Sequence, residues 1–169
     1  IVDTASTDGT VAIAQEFGAT IAQPADWPGF GPQKNRALDL ATCDWILSLD
    51  ADERLTPELR SEIAAALANP GHTTCFAIPR LSWYCGRFIR HSGWNPDYVD
   101  RLFQRGKARF SNDLVHERLI PSGSVVKLKN HMLHYSFMNY SQVLQKIDRY
   151  SSASAEQAFA KGKQSSPLT

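Results

Sequence analysis

A cluster of acids stands directly after an apolar run in the segment LSLDADERLTPEL, residues 47–59. Asp50 and Asp52 are two positions apart, and Glu53 follows them without a spacer. In an extended turn, two carboxylates at this spacing can face one hard divalent cation. The alternative is that the acids favour the positive end of the following helix. This explains Glu53 but not Asp50, because a carboxylate that ends a buried strand is costly without a partner. We therefore expect a metal ion or another ligand at this turn.

Two other sites begin with similar acids but fit this segment less well. An EF-hand loop needs an oxygen ligand where Arg54 stands and a glycine where Leu55 stands, so an EF-hand is excluded. An aspartyl-phosphatase site also begins with D-x-D after a strand, but it requires Thr or Val at the position of Arg54. We therefore rank a hydrolase with Asp50 as its nucleophile third. An enzyme of another class ranks first, and a non-catalytic ligand-binding fragment ranks second.

Strands and helices alternate in the first half of the sequence, and this order positions the acids. Ile1-Val2, residues 19–23 and residues 44–50 are strand-like, with short helical segments between them. Such alternation favours an α/β fold with a mostly parallel sheet flanked by helices. In these sheets ligands bind beyond the carboxyl ends of the strands. We therefore expect the loop at Asp3 and the turn at Asp50 to open at the same edge of the sheet.

Helix signals follow the acidic turn. Thr56 is a suitable N-cap residue and Pro57 suits the first helical position, so a helix should run from there to about Ala68. Apolar residues at helical spacing predict one amphipathic C-terminal helix over about residues 139–162.

The composition is that of one globular domain, residues 1–169. The chain is 43% hydrophobic and 21% charged, and its net charge of +1 gives no strong field for nucleic acid. Three cysteines without a C-x-x-C motif favour a reducing compartment, and no run approaches the ~20 apolar residues of a membrane span. We expect a cytoplasmic location. Because the chain opens inside a strand-like segment and stops without a closing element, we also expect a fragment.

Three sequence blocks carry a resemblance to a known family. They are VDTASTDGT, KNRALDLATCDWILSLDADERLTPEL and WNPDYVDRLF with the later LVHERL. In this order and spacing they resemble family 2 glycosyltransferases with the GT-A fold, and within that family the lipopolysaccharide core enzymes that add β-glucose to heptose. The resemblance implies an α/β GT-A fold that here lacks its first strand and its C-terminal end. It divides the chain into a nucleotide-binding half at about 1–70 and an acceptor-binding half at about 71–138.

The resemblance also implies a reaction and its partners. The expected activity is metal-dependent, inverting transfer of a hexose, with glucose as the expected sugar, from a nucleotide diphosphate sugar to a glycan or lipid-linked acceptor. Mg²⁺ or Mn²⁺ is the expected cofactor, and no nucleic acid partner is expected. Peripheral association with the cytoplasmic face of the inner membrane and self-association through open sheet edges are further expectations. The alternative is a non-catalytic nucleotide-binding or interaction fragment of such an enzyme.

Site residues follow from the same three blocks. Asp52 and His134 are the implied metal ligands, although His134 could equally be a paired histidine of the core. The implied nucleotide-sugar-binding residues are Asp3, Ser6, Asp8, Lys34, Asn35, Asp50, Ala51 and Asp52.

The base and the acceptor contacts are expected in the second half. Glu117 is the first choice for the general base, with Asp97 and Asp113 as second choices. The alternative for Glu117 is a surface ion pair with Arg118. The expected acceptor-binding residues are Trp94, Tyr98, Arg101 and His116.

Overall fold

The computed structural model describes residues 1–113, 117–160 and 162. This part of the chain contains four helices and nine strands. The helices are α1 (Thr10–Glu16), α2 (Phe30–Asp39), α3 (Pro57–Ala68) and α4 (Tyr140–Ala160). The strands are β1 (Trp45–Leu47), β2 (Glu53–Leu55), β3 (Thr73–Tyr84), β4 (Arg87–Phe88), β5 (Asp97–Gln104), β6 (Ala108–Phe110), β7 (Leu119–Pro121), β8 (Ser124–Lys127) and β9 (Met132–Phe137).

Local signals set the start of α3 as the sequence predicts. The Thr56 hydroxyl accepts a hydrogen bond from the Leu59 amide at 3.2 Å, and Pro57 occupies the first turn. This cap satisfies one of the amides that no helical carbonyl can reach. Leu59 and Ile63 lie one turn apart on the buried side of the helix, so the cap and the apolar spacing together fix how α3 meets the sheet.

The central strand of the main sheet is β3. It pairs antiparallel with β5 on one side and parallel with β8 and β9 on the other. The outer strands β1 and β2 pair antiparallel with β5 and β9, respectively. The α/β prediction is confirmed, and the sheet of the described residues is mixed in strand direction.

The two segments at the start of the chain form less strand than the sequence suggests. Val2 and Ala22 make one isolated parallel bridge, with Asp3 N donating to Ala22 O at 3.0 Å. Within the described residues this bridge is not part of the seven-stranded sheet. The loop at Asp3 and the turn at Asp50 therefore do not leave from strands of one sheet, contrary to the expectation from the alternating pattern.

Apolar side chains cover both faces of the β3–β5 pair. One cluster lies against α3, and it contains Leu59, Ile63, Phe76, Ile78, Leu102, Leu128 and Met132. The other contains Cys75, Phe103, Ala108, Phe110 and Leu119. Burial raises the pKa of the Cys75 thiol to about 12, so it stays protonated and unreactive. Within the described residues, no helix combines the length and apolarity that a membrane span needs.

Candidate active site

A cleft of about 1310 Å³ opens beside the turn between β1 and β2. Its walls come from that turn, from β3 and β9, and from one side of α4. Eight residues that the sequence analysis singles out line it: Lys34, Asp50, Ala51, Asp52, Trp94, Asp97, Glu117 and His134. The structure therefore gathers expected donor, metal, base and acceptor residues around one space.

The acidic turn is held by bonds between its own residues. The Glu53 amide donates to Asp50 O at 3.0 Å, and the Asp50 amide donates to the Glu53 carboxylate at 2.9 Å. The Glu53 side chain has no exposed surface. Glu53 therefore fixes the shape of the turn from below, while Asp50, Ala51 and Asp52 line the cleft.

A buried arginine neutralises this turn. Arg101 Nη2 lies 2.5 Å from Asp50 Oδ2 and 2.6 Å from Glu53 Oε1, and only 7% of the residue is exposed. Burial raises the pKa of Asp50, but the charges of Arg101 and Lys34 together lower it by more. The pKa of Asp50 therefore lies below its ordinary value. Arg101 is not among the residues that line the cleft. It lies behind Asp50. The sequence analysis expected Arg101 to contact the acceptor instead.

Asp52 and His134 face each other across the turn. Asp52 Oδ2 lies 3.4 Å from His134 Nε2, and the Tyr135 amide donates to Asp52 O at 2.8 Å. The hydrogen bond from His134 is the main reason why the pKa of Asp52 is lowered. Ser82, which is buried, lies 3.0 Å from the other ring nitrogen of His134. The imidazole is therefore oriented with Nε2 toward Asp52 and the cleft.

This pair fits one divalent ion in its chemistry. A carboxylate oxygen and an imidazole nitrogen stand side by side, while Asp50 is committed to Arg101 and Lys34. No group of three or more acids, histidines or cysteines that could hold a metal occurs among the residues the structure describes. Mg²⁺ usually takes only one or two protein carboxylates and leaves other positions to water and phosphate. Two protein ligands are therefore enough.

Lys34 links the acidic turn to the expected base. Its Nζ lies 2.8 Å from Asp50 Oδ1 and 3.0 Å from Glu117 Oε1. The ion pair of Glu117 is thus with Lys34 inside the cleft, where the alternative reading expected a surface pair with Arg118. A Lys34–Glu117 contact spans 83 positions in the chain, so it depends entirely on where α2 is placed.

Two residues of α2 fix that placement. The Asn35 side chain bonds both the carbonyl and the amide of Phe110 in β6, each at 2.9 Å. One turn earlier, a Cβ added to Gly31 would lie 1.8 Å from the Ser111 carbonyl oxygen. Only glycine allows this approach. Asn35, expected to contact the nucleotide, has its amide engaged with the backbone of Phe110 in this structure.

The remaining cleft residues differ in their partners. Asp97 is paired with Arg80, whose Nη2 and Nε lie 2.8 Å and 2.9 Å from Asp97 Oδ2. Trp94 is 39% exposed and meets the Tyr84 ring edge-on, with centroids 5.6 Å apart. Trp94 therefore offers an apolar ring face of the kind on which sugars stack.

Other expected residues lie outside the cleft lining. Asp3 accepts hydrogen bonds from the amide and hydroxyl of Ser6 at 3.1 Å and 2.5 Å, and these bonds lower its pKa. Asp8 accepts from the amide of Thr10, the first residue of α1, at 3.0 Å.

In the second half, three more expected residues lie away from the cleft or beyond what is described. Tyr98 packs its ring against Lys127, with Nζ 4.5 Å from the centroid. Asp113 accepts from the Ser111 hydroxyl at 2.9 Å. His116 lies outside the described residues.

Several cleft residues were not anticipated from the sequence. Arg80 and Ser82 come from β3, and Gln142, Gln145, Lys146 and Tyr150 come from α4. The sequence analysis predicted an amphipathic helix here but not which of its residues face a ligand. An amphipathic pattern does not predict which surface the polar residues face, because the packing position of a helix depends on tertiary contacts.

Comparison with known proteins gives this geometry a context. The family model described as "Glycosyl transferase family 2" matches residues 1–123. The chain is 32% identical to "Lipopolysaccharide core biosynthesis glycosyltransferase LpsC" of Rhizobium meliloti (strain 1021), over 96% of this chain and 63% of that protein. It is also 32% identical to an "Uncharacterized glycosyltransferase" of Rickettsia felis, over 96% of this chain and 61% of that one.

A shorter match involves a different kind of protein. A "TPR repeat-containing protein" of Synechococcus elongatus is 45% identical over 62% of this chain, which corresponds to 26% of that protein. The chain spans about three fifths of the length of the LpsC and Rickettsia relatives, at 63% and 61%.

Proposed function

Because the chain belongs to glycosyl transferase family 2 and has the GT-A fold of that family, we propose that it transfers a hexose from a nucleotide diphosphate sugar to a glycan acceptor, with Mg²⁺ or Mn²⁺ bound. The observation that carries this proposal is the Asp52–His134 pair, 3.4 Å apart, on the wall of a cleft that also holds Lys34, Asp50 and Glu117. The ion would be held by Asp52 and His134. When bound, it supplies a Lewis acid for the leaving diphosphate.

The residues of the chain have separate tasks in such a reaction. Asp50, held by Arg101 and Lys34, faces the donor as an ordered hydrogen-bond acceptor for hydroxyl groups such as those of ribose. Glu117 takes the proton of the acceptor hydroxyl. As the acceptor oxygen bonds to the anomeric carbon, the bond to the diphosphate breaks and the nucleoside diphosphate leaves. A single displacement inverts the anomeric carbon, so an α-linked donor gives a β-linked product.

The acceptor proposal is narrower than the reaction class. The relative LpsC is named for lipopolysaccharide core biosynthesis, and we propose a heptose of that core as acceptor and glucose as the sugar transferred. Trp94, which contacts the Tyr84 ring edge-on, supplies an aromatic surface for the acceptor. A lipid-linked acceptor would place the protein at the cytoplasmic face of the inner membrane. Self-association through a sheet edge stays a proposal as well, with β1 as the edge, since it is a terminal strand of the described sheet.

Calorimetry on the metal ligand tests the proposed function. We expect the wild-type chain to bind UDP more tightly with Mn²⁺ than without it. Asp52→Asn keeps the shape of the side chain but removes the charge that a hard cation needs, so this gain should fall by about tenfold or more. Asp44→Asn is the matched control, because Asp44 is 96% exposed and lies outside the cleft lining.

Two results would contradict the metal assignment. One is Mn²⁺-dependent UDP binding at wild-type strength in Asp52→Asn. The other is an equal loss in Asp44→Asn, because that would trace the effect to net charge alone. UDP binding without sugar transfer to any tested core acceptor would favour the non-catalytic alternative.

A further inference from the structure

One wall of the cleft is the polar side of α4. Gln142, Gln145, Lys146 and Tyr150 all line the cleft. Gln142 and Lys146 are four positions apart, as are Lys146 and Tyr150, and Gln145 is three positions from Gln142. The four therefore share one side of the helix, since residues three and four apart lie above one another. The Gln142 side-chain oxygen accepts from the Met138 amide at 2.8 Å, which ties this side of α4 to the end of β9. The helix therefore presents a cation, Lys146, to the ligand space.

Two aromatic rings hold that cation. Lys146 Nζ lies 4.9 Å from the centroid of Phe137 and 5.5 Å from that of Tyr150. A lysine ammonium within about 6 Å of a ring face is attracted by the negative face of the ring. Both rings also line the cleft. The ammonium is thus positioned at the cleft wall, and the rings leave its strong hydrogen-bond donors unused.

The other cations of the cleft have different neighbours. Lys34 is paired with Asp50 and Glu117, and Arg80 is paired with Asp97. Among the residues that the structure describes, the ion pairs within 4.0 Å include Lys34 and Arg80 but not Lys146. Of the three cleft-lining lysines and arginines that the structure describes, Lys146 is therefore the one whose charge is available for an anion from outside.

The charge balance of the cleft indicates which kind of ligand group Lys146 would bind. Its lining contains four carboxylates, those of Asp50, Asp52, Asp97 and Glu117. A phosphate group entering such a space is repelled unless cations face it, and Lys34 and Arg80 are already committed. A charge-assisted hydrogen bond from an ammonium to a phosphate oxygen is among the stronger single contacts in proteins.

We propose that Lys146, held against Phe137 and Tyr150, forms a phosphate-binding subsite on the α4 side of the cleft. Its ligand is a phosphate group, from either the diphosphate of the donor or a phosphorylated acceptor sugar. The subsite rests on the proposed function, because it assigns a further residue to the same cleft.

Substitution of Lys146 tests this subsite in the full chain. Lys146→Met keeps much of the aliphatic stem and removes the charge, whereas Lys146→Arg keeps the charge. Lys107→Met is the matched control, because Lys107 is exposed and outside the cleft lining. Binding is measured for UDP, uridine, glucose 6-phosphate and glucose, with circular dichroism to compare the fold of each variant.

The pattern of losses identifies the source of the phosphate. If the donor diphosphate occupies the subsite, Lys146→Met should weaken UDP about tenfold or more and leave uridine unchanged. If a phosphorylated acceptor occupies it, the same loss should fall on glucose 6-phosphate relative to glucose. In either case Lys146→Arg should retain most of the affinity and Lys107→Met all of it.

Failure of the subsite and failure of the proposed function give different results. UDP and glucose 6-phosphate binding that Lys146→Met leaves intact would overturn the subsite alone. A loss of uridine binding equal to that of UDP would also overturn it. The substitution would then weaken binding by changing the structure of the cleft and not by removing a phosphate contact. A wild-type chain that binds no UDP, with or without Mn²⁺, and no glucose 6-phosphate would overturn both.

Discussion

At the scale of single residues, we propose Glu117 as the base in preference to Asp97. It lines the cleft and is paired with one lysine, whereas Asp97 meets two nitrogens of Arg80. Glu117→Gln should therefore lower the turnover rate by about 10²-fold or more and leave UDP affinity nearly unchanged. Release of UDP from UDP-glucose, with a lipopolysaccharide core acceptor, gives the rate.

The contact with Lys34 requires its own comparison. If Glu117 acted only by positioning Lys34, Lys34→Met would lower the rate as Glu117→Gln does, and UDP affinity would fall in both variants. Glu16→Gln, on the exposed side of α1, controls for net charge. A Glu117→Gln variant with the wild-type rate would move the role of base to Asp97 or Asp113.

The single residues differ in how far the sequence could place them. Asp50 and Asp52 were predictable because they are close together and directly follow a strand. The pairing of Asp50 with Arg101 was not predictable, because the two residues meet only through the pairing of β1 with β5. The sequence shows Arg101 as one of several arginines, and burial is what distinguishes it.

At the scale of elements, the contact between α2 and the segment after β6 is the tightest constraint near the site. Gly31→Ala would place a methyl group 1.8 Å from the Ser111 carbonyl oxygen, so helix and segment must separate. We expect a loss of about 1–3 kcal/mol in the free energy of unfolding, as for other overpacked positions. Urea denaturation measures it.

Gly9→Ala provides the comparison for that substitution. An added Cβ at Gly9 would lie 3.7 Å from Ile13, an ordinary contact, and Gly9 also precedes a helix. Its cost should stay within about 1 kcal/mol. Equal stability of Gly31→Ala and the wild type would show that α2 does not need this close approach.

Elements with local signals were predicted well, and elements that depend on partners were not. The start of α3 followed from Thr56 and Pro57 alone. The strand-like segments at Val2 and Ala22 amount to one bridge, because two short apolar runs do not make a strand without neighbours. The helix α4 was predictable from its apolar spacing, but its place on the cleft wall depends on tertiary packing.

At the scale of the whole molecule, carboxylate pairing sets the response to acid. The pKa values of Asp50 and Asp52 lie below the ordinary 3.8 in the folded chain. Their stabilisation is therefore present above that value and is lost as the pH falls through the lower folded values. Asp100 has the opposite sign, because burial raises its pKa. More carboxyls have a lowered pKa: Asp3, Asp8, Asp26, Asp39 and Glu62.

The urea midpoint should therefore fall as the pH drops below about 4. Asp50→Asn should reduce this dependence on pH, since one of the linked protons is then missing. Asp44→Asn, at an exposed position, should leave the pH dependence as in the wild type. A midpoint that is constant from about pH 5 to about pH 2 would contradict the linkage.

The way β3 is shared between the two apolar clusters bears on how such a chain could be recombined in evolution. Cys75 belongs to one cluster and the adjacent Phe76 to the other. Leu59 and Ile63 of α3, which lie in the half expected to bind the nucleotide, fill the same cluster as Phe76. The two halves expected from the resemblance therefore share one core and are not separate modules. Exchange of either half with that of a distant homologue would require the side chains of α3 and β3 to be refitted together.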